Sequence, residues 1–255
     1  MLPGQSMFEL ACITLVFLLA GYVKGVIGMG LPTIAMATLG LLLGPAQAAA
    51  LLVIPSLVTN VWQFLAGGSK MATIKRLWVM LVFVCIGTWL GIGFLTSSNS
   101  AWPNIWLGSV LALYALVALF HPQFSMPPQY EGRLSPLIGI STGILTGATG
   151  VFVIPAVPFI SAMNLSKDAL IQALGLSFTV STIALAVGLG MNESLSKSDL
   201  TISLLAVVPA MVGMSIGQKT RDRIEPLTFK KCFFGALFVL GAFMAIRAGS
   251  GLFFR

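Results

Sequence analysis

Charged residues are scarce in this sequence. Only 8% of the 255 residues are Asp, Glu, Lys or Arg, whereas 57% are hydrophobic and the mean hydropathy is +0.99. A soluble domain carries roughly 25% charged residues, so this composition excludes a soluble enzyme and a disordered chain. The apolar runs are continuous rather than alternating, which also excludes a membrane β-barrel. The remaining class is a protein whose apolar segments cross a membrane as helices.

Side chains that catalyse reactions or bind metals are also rare. The one histidine, His121, opens a central loop, and the three cysteines lie in apolar segments without a disulfide pattern. The sequence therefore predicts no enzyme, no metal site and no cofactor. It also offers no carboxylate or histidine in mid-membrane that could relay a proton. All seven acidic residues lie at segment ends or in loops: Glu9, Glu131, Asp168, Glu193, Asp199, Asp222 and Glu225.

The basic residues lie mainly in short loops between apolar stretches. They give the chain a net charge of +7, but in such loops they indicate membrane topology rather than nucleic-acid binding. The apolar stretches are residues 8–23, 26–43, 46–66, 77–96, 102–120, 134–160, 169–190, 200–217 and 232–246.

The sequence contains an internal duplication. Glycines recur at an offset of 122, polar and small residues at 123, and a later glycine pair at 126. Polar matches inside apolar helices are unlikely to arise by chance, so we interpret residues 1–120 and 134–255 as two repeats joined by a loop at 121–133. The matches are Gly21/Gly143, Gly25/Gly147, Gly28/Gly150, Pro32/Pro155, Ala50/Ala173, Ser56/Thr179, Thr59/Thr182, Gly67/Gly190, Gly87/Gly213 and Gly91/Gly217.

Each repeat begins with a segment too long for one crossing. A continuous helix over residues 8–43 would be about 54 Å long, whereas the hydrocarbon core is about 30 Å thick. Glycines and a proline interrupt it at KGVIGMGLP, and the second repeat has the same kind of break at TGATGVFVIP. Each segment is therefore either one broken helix that crosses once or a hairpin that returns to its starting side.

The distribution of Lys and Arg separates these two arrangements. Single crossings divide the basic residues seven inside to six outside, whereas hairpins divide them ten to three. Because Lys and Arg concentrate on the cytoplasmic side, the hairpins are favoured. The sequence thus predicts an all-α polytopic membrane protein of two inverted repeats, each a glycine-broken helical hairpin followed by three transmembrane helices. Both termini are predicted outside, with the ten inside residues being Lys70, Lys75, Arg76, Arg133, Lys167, Lys219, Arg221, Arg223, Lys230 and Lys231.

The two breaks and the nearby Lys24 form the predicted binding site. A helix N-terminus exposes unpaired N–H groups and carries about half a positive charge. N-termini at residues 29–31 and 151–153, with the ammonium of Lys24, predict a midplane site for an anion. Two alternatives stay open: the glycines serve close helix packing, and Lys24 snorkels to the interface. The candidate residues are Lys24, Gly25, Gly28 and Gly30, and Thr146, Gly147, Thr149 and Gly150 in the second repeat.

Polar residues follow each break at helical spacing. In both repeats they fall on or near one face of an apolar helix, where they either contact the substrate or hydrogen-bond between helices. Packing is the favoured role for the other glycines spaced four apart, Gly87, Gly91, Gly213 and Gly217. The polar candidates are Ser56, Thr59, Asn60 and Gln63, and Gln172, Thr179 and Thr182.

The paired breaks GVIGMGLP and GATGVFVIP, each ahead of a polar-striped helix, resemble those of the TauE/SafE family, also called the toluene sulfonate uptake permease family. The resemblance covers nearly the whole chain, although this sequence departs from the family's commoner GxGGG pattern. It implies a bacterial inner-membrane transporter of small sulfur-containing anions such as sulfite, sulfoacetate, thiosulfate or other organosulfonates. It also implies ligand contacts at Gly25, Gly28, Gly30, Gly147 and Gly150.

We therefore expect a secondary transporter, with export favoured, that works by alternating access at a midplane site between the repeats. Its expected partners are the anion, the lipid bilayer and, where it assembles, further copies of itself; no nucleic acid is expected. The alternatives are an anion channel and a membrane assembly factor or scaffold without a transported ligand. Saturable transport distinguishes a transporter from a channel, and anion-induced thermal stabilisation distinguishes both of these from a scaffold.

Overall fold

The structure is a computed structural model that describes residues 7–68, 70–97, 102–120 and 125–253. In these ranges it has ten α-helices and no β-strand. Seven of the described helices are long and apolar enough to cross a membrane, which confirms the predicted all-α, multi-pass membrane protein. The predicted repeat limits at residues 1, 121 and 255 lie outside the described residues. The helices are α1 (Met7–Ile27), α2 (Leu31–Leu43), α3 (Pro45–Leu65), α4 (Lys70–Thr96), α5 (Trp102–Phe120), α6 (Pro128–Thr149), α7 (Ala156–Ser161), α8 (Lys167–Met191), α9 (Lys197–Thr220) and α10 (Pro226–Phe253).

The first break lies where the sequence predicts it. Helix α1 ends at Ile27 and α2 begins at Leu31. Gly28 and Gly30 adopt φ values of +79° and +116°, a backbone conformation that glycine tolerates and other residues rarely adopt. Pro32 then lies in the first turn of α2, where a missing N–H costs no helical hydrogen bond.

The second break differs from the prediction. Helix α6 ends at Thr149 and is capped by Gly150, whose φ is +71° and whose N–H donates to the carbonyl oxygen of Thr146 at 2.8 Å. No helix begins at 151–153, so the predicted second N-terminus there is wrong. The chain stays non-helical until α7, which begins at Ala156 and has only six residues. Proline at 155 disfavours helical conformation at the preceding residue, and the β-branched run before it adds to that preference.

Glycines bring two pairs of helices into backbone contact. Gly21 and Gly25 of α1 pack on Ala210 and Met214 of α9, and a Cβ at either glycine would lie closer than 3.0 Å to the α9 backbone. In the other pair, Gly87 of α4 packs on α6 in the same way. Residue numbers rise together across both interfaces, so the helices of each pair run parallel. The pairs α1–α9 and α6–α4 correspond under the duplication, which stays a prediction. The glycines of these two interfaces are Gly21, Gly25, Gly213 and Gly217 in one, and Gly87, Gly91, Gly139, Gly143 and Gly147 in the other; Gly108 and Gly241 make similarly close backbone contacts between α5 and α10, and Gly175 of α8 does so with α3.

Helices α3 and α8 form the centre of the bundle. The most apolar windows of these helices are 61% and 67% buried, more than in any other candidate span of the described residues. They run antiparallel, because Ser56 lies opposite Thr182 whereas Phe64 lies opposite Gln172. The centre of the protein is therefore built from one helix of each predicted repeat.

These helix directions collect the basic loops at one end of the bundle, which we call the basic end. It consists of the last turns of α1, α3, α5 and α9 and the first turns of α4, α6, α8 and α10. Its contacts include a bidentate ion pair between Arg76 and Glu131, with Nε–Oε2 at 2.8 Å, and the edge-to-face rings of Tyr22 and Phe229. The ten basic residues predicted inside all lie toward this end, as the hairpin arrangement requires.

Cysteines introduced at position 197 and at position 221 are expected to react with a membrane-impermeant thiol reagent from opposite sides of the membrane. They lie at the two ends of α9, whose 24 residues are long enough to cross. Labelling in intact cells and in inverted vesicles measures this. Position 197 should be labelled from outside, and reaction of both positions from the same side would contradict the hairpin topology.

Candidate functional site

A polar network occupies the crossing of α3 and α8. Ser56, Thr59 and Asn60 of α3 and Thr182 of α8 are fully buried among apolar residues. The amide nitrogen of Asn60 donates to Ser56 Oγ at 3.0 Å and to Thr182 Oγ1 at 3.3 Å. The two hydroxyl oxygens lie 3.2 Å apart and share a further hydrogen bond. The network thus joins the two predicted repeats near the middle of α8.

Lys24 points into this network. Its side chain is 1% exposed, and its Nζ donates to Thr59 Oγ1 at 3.0 Å and to Asn60 Oδ1. A lysine that snorkels to the interface would carry its Nζ toward water, so this alternative does not fit the structure. Among the described residues no carboxylate forms an ion pair with Lys24, although a buried ammonium is costly unless an opposite charge balances it.

The first break is held against the same part of α3. The Gln63 amide nitrogen donates to the carbonyl oxygen of Gly28 at 3.0 Å and to that of Ile171 at 2.9 Å. Gly30 packs against Val23, so the start of α2 lies beside the last turns of α1. The remaining amide oxygen, Oε1 of Gln63, is buried and has no hydrogen-bond partner among the residues that the structure describes. Lys24, Gln63 and the start of α2 therefore lie together in one region.

The second break lies elsewhere. A Cβ at Gly150 would contact Met36 and Ala49, whereas one at Gly28 would face Gln63. Ala49 and Gln63 are 14 residues apart on α3, or about 21 Å along the helix axis. The sequence predicts that both breaks contact one anion. In the structure the two breaks do not converge on one site. Thr146 and Thr149 instead donate to carbonyl oxygens of their own helix, at 2.7 and 2.6 Å.

Other candidate residues make contacts typical of helix packing. Gln172 donates to the carbonyl oxygen of Phe64 at 3.2 Å and accepts from Thr73 at 3.2 Å. Thr179 is half-buried and donates to the carbonyl oxygen of Gly175 at 2.7 Å. Gly25 and Gly147 lie inside helices, in the glycine interfaces described above. These contacts match the packing alternative that the sequence left open, and ligand contact at these positions stays a prediction.

Two cavities at the basic end were not predicted. One, of about 460 Å³, is lined by Met29 of the first break, Tyr114 of α5 and Lys230 of α10, among others. The Tyr114 hydroxyl donates to Met29 Sδ at 3.2 Å, between this cavity and the break. The other, of about 390 Å³, is lined by Arg76 and Gln172. No sequence pattern links α5 or α10 to the break, so only tertiary structure could reveal these linings.

Membrane-crossing helices around a buried polar centre are a feature that membrane transporters share. The chain belongs to the TauE/SafE sulfite exporter family, whose model, described as "Sulfite exporter TauE/SafE", matches residues 13–244. That family is one of transporters and not of enzymes. No curated protein and no solved structure matches the chain. In the part of the chain that the structure describes, no three His, Cys, Asp or Glu side chains form a group that could hold a metal ion.

Proposed function

We propose that this protein is a secondary transporter that exports small sulfur-containing anions across the bacterial inner membrane. Sulfite, thiosulfate, sulfoacetate and other organosulfonates are the candidate substrates. The anion binds between Lys24 and the start of α2, within the region bounded by Thr59, Asn60 and Gln63. This site uses one helix N-terminus and one lysine, in place of the two N-termini that the sequence suggested.

The observation that carries the proposal is that the buried Lys24 side chain has no negatively charged partner among the described residues. Its two partners, Thr59 Oγ1 and Asn60 Oδ1, are neutral oxygens. A sulfur oxyanion supplies the missing negative charge and accepts a charge-assisted hydrogen bond, which is roughly twice as strong as a neutral one. A cation or a neutral solute would leave the ammonium unbalanced, so the charge at the site selects an anion.

Access to the site runs through the larger cavity at the basic end. Met29 belongs to the break and also lines this cavity, so an anion in the cavity is separated from the break by the Tyr114–Met29 contact. Movement of α5 and α10 relative to the α1–α2 hairpin opens this contact. Alternating access then requires a second movement that opens the site toward the opposite end of the bundle.

The membrane potential favours export. An interior that is negative by 100 mV drives each negative charge outward by about 2.3 kcal/mol. Uptake of the same anion requires a second ion to offset this energy. Export of a negatively charged substrate therefore needs no energy from a second ion.

Purified protein reconstituted into vesicles is expected to move thiosulfate at a rate that saturates with concentration and rises when the imposed potential favours anion movement. The controls are protein-free vesicles and chloride as the anion. A flux that rises linearly with concentration would favour the channel alternative. No flux for thiosulfate, sulfite or sulfoacetate, together with no thermal stabilisation by any of them, would favour a scaffold and contradict the proposal.

A further inference from the structure

The number of hydrogen-bond acceptors around Lys24 matches a neutral amine. A charged lysine has three N–H donors and a neutral one has two. Nζ has two partners among the described residues, Thr59 Oγ1 and Asn60 Oδ1. Both acceptors are held in place, since the Thr59 hydroxyl donates to the carbonyl oxygen of Pro55 at 2.8 Å and the Asn60 amide nitrogen donates to Ser56 and Thr182. The third N–H of an ammonium has no acceptor until a ligand provides one.

Helices α1, α2, α3 and α9 place no negative charge beside Lys24. Helices α2 and α3 contain no Asp, Glu, His, Lys or Arg. The one acid of α1, Glu9, precedes Lys24 by 15 residues, about 22 Å along the helix. On α9, Asp199 lies at the opposite end of the bundle, where it accepts a hydrogen bond from Gln47 at 3.1 Å.

Charged groups of both signs lie at the basic end, beyond the last turn of α1. The turn at 221–223 and the first turns of α10 contact the end of α1, and residues 219–231 contain five basic residues and two acids, Asp222 and Glu225, while α8 brings Asp168 to the same end. Burial opposes a positive charge on Lys24 that no partner balances. A bound anion reverses this balance, since it adds negative charge and accepts the third N–H. The five basic residues are Lys219, Arg221, Arg223, Lys230 and Lys231.

We propose that Lys24 takes up a proton when the anion binds and releases it when the anion leaves, so that anion and proton cross together. The step converts R–NH₂ and H⁺ to R–NH₃⁺, with the proton coming from water in the open cavity and returning to water on the far side. A divalent anion then moves as one net negative charge, which the membrane potential still drives outward, whereas a monovalent anion moves without net charge and follows its concentration gradient and the pH gradient. Lys24 thus acts as the proton carrier, a role for which the sequence offers no carboxylate or histidine in mid-membrane. This inference rests on the proposed function.

Proton uptake on anion binding tests the inference. Thiosulfate is the probe, because it holds no exchangeable proton near neutral pH. Purified protein in a weakly buffered solution with a pH indicator is expected to take up close to one proton per thiosulfate at alkaline pH, where its affinity falls by about tenfold per pH unit. Lys24→Arg is expected to bind with weaker affinity and without proton uptake, because a guanidinium stays charged.

The outcomes separate this inference from the proposed function. Thiosulfate binding without proton uptake at any pH from 6 to 10 would overturn the inference and leave anion transport standing. If thiosulfate, sulfite and sulfoacetate all fail to bind, the proposed function fails as well.

Asn60→Asp gives an independent test that does not depend on Lys24→Arg folding. The new carboxylate pairs with Lys24, so proton uptake should be lost and thiosulfate affinity should fall at least tenfold; unchanged uptake and affinity would contradict the inference.

Discussion

Gly213→Ala is expected to destabilise the protein by about 3 kcal/mol, which lowers the melting temperature of a chain of this size by roughly 6–12 °C. A Cβ at this position would lie closer than 3.0 Å to the carbonyl oxygen of Leu18. That atom belongs to the backbone of α1, so the clash is relieved only if the two helices move apart. Thermal unfolding in detergent, followed by light scattering or intrinsic fluorescence, measures the loss.

The matched variants are Gly87→Ala and Gly93→Ala. Gly87 corresponds to Gly213 in the predicted duplication and packs on the α6 backbone, so Gly87→Ala should lower the stability of the protein by a similar amount. Gly93 lies on the same helix as Gly87, but a Cβ there would meet nothing within 4 Å, so Gly93→Ala should be neutral. Equal melting temperatures for all three variants would contradict the backbone-contact interfaces.

Lys24→Ala is expected to weaken anion binding by tenfold or more, about 1.4 kcal/mol or greater. The substitution removes the one buried positive charge that the described site offers, and the start of α2 alone then balances only about half a charge of the anion. Equilibrium binding of thiosulfate to purified protein, with thiosulfate-induced thermal stabilisation as a second readout, measures the effect. Lys24→Met is a companion variant that removes the charge and keeps most of the side-chain volume.

Arg247→Ala is the control for this experiment. Arg247 is exposed on α10 toward the end of the bundle opposite the basic end, so its loss should leave thiosulfate binding unchanged. If Lys24→Ala and Lys24→Met fold and bind thiosulfate as tightly as Arg247→Ala does, the anion is not held by Lys24. The site would then have to lie elsewhere, and the cavity lined by Arg76 would be the next candidate.

The first break was predictable from the sequence because its signals are local. Glycine at positive φ and proline in a first helical turn act through their own backbone, and Gly28, Gly30 and Pro32 do so in the structure. The second break was only partly predictable. Gly150 ends a helix as expected, but the apolar run that follows it has no periodicity that distinguishes a helix start from an extended segment.

Part of the candidate site was also predictable. Lys24 and the polar residues of α3 stand out because polar groups in apolar helices need partners, and the structure joins them to Thr182. The role of Gly25 was not decidable from the sequence, since a four-residue glycine spacing fits both ligand contact and helix packing. Only the position of α9 shows that this glycine faces another backbone.

Binding of the anion beside Lys24 can be observed directly in a crystal structure of the protein with selenite, in which selenium replaces the sulfur of sulfite and gives an anomalous signal. If the anion binds there, a selenium peak is expected in contact with Lys24 Nζ, between α3 and the start of α2. A peak in the cavity beside Arg76 or at Gly150, with the Lys24 region empty, would contradict binding beside Lys24.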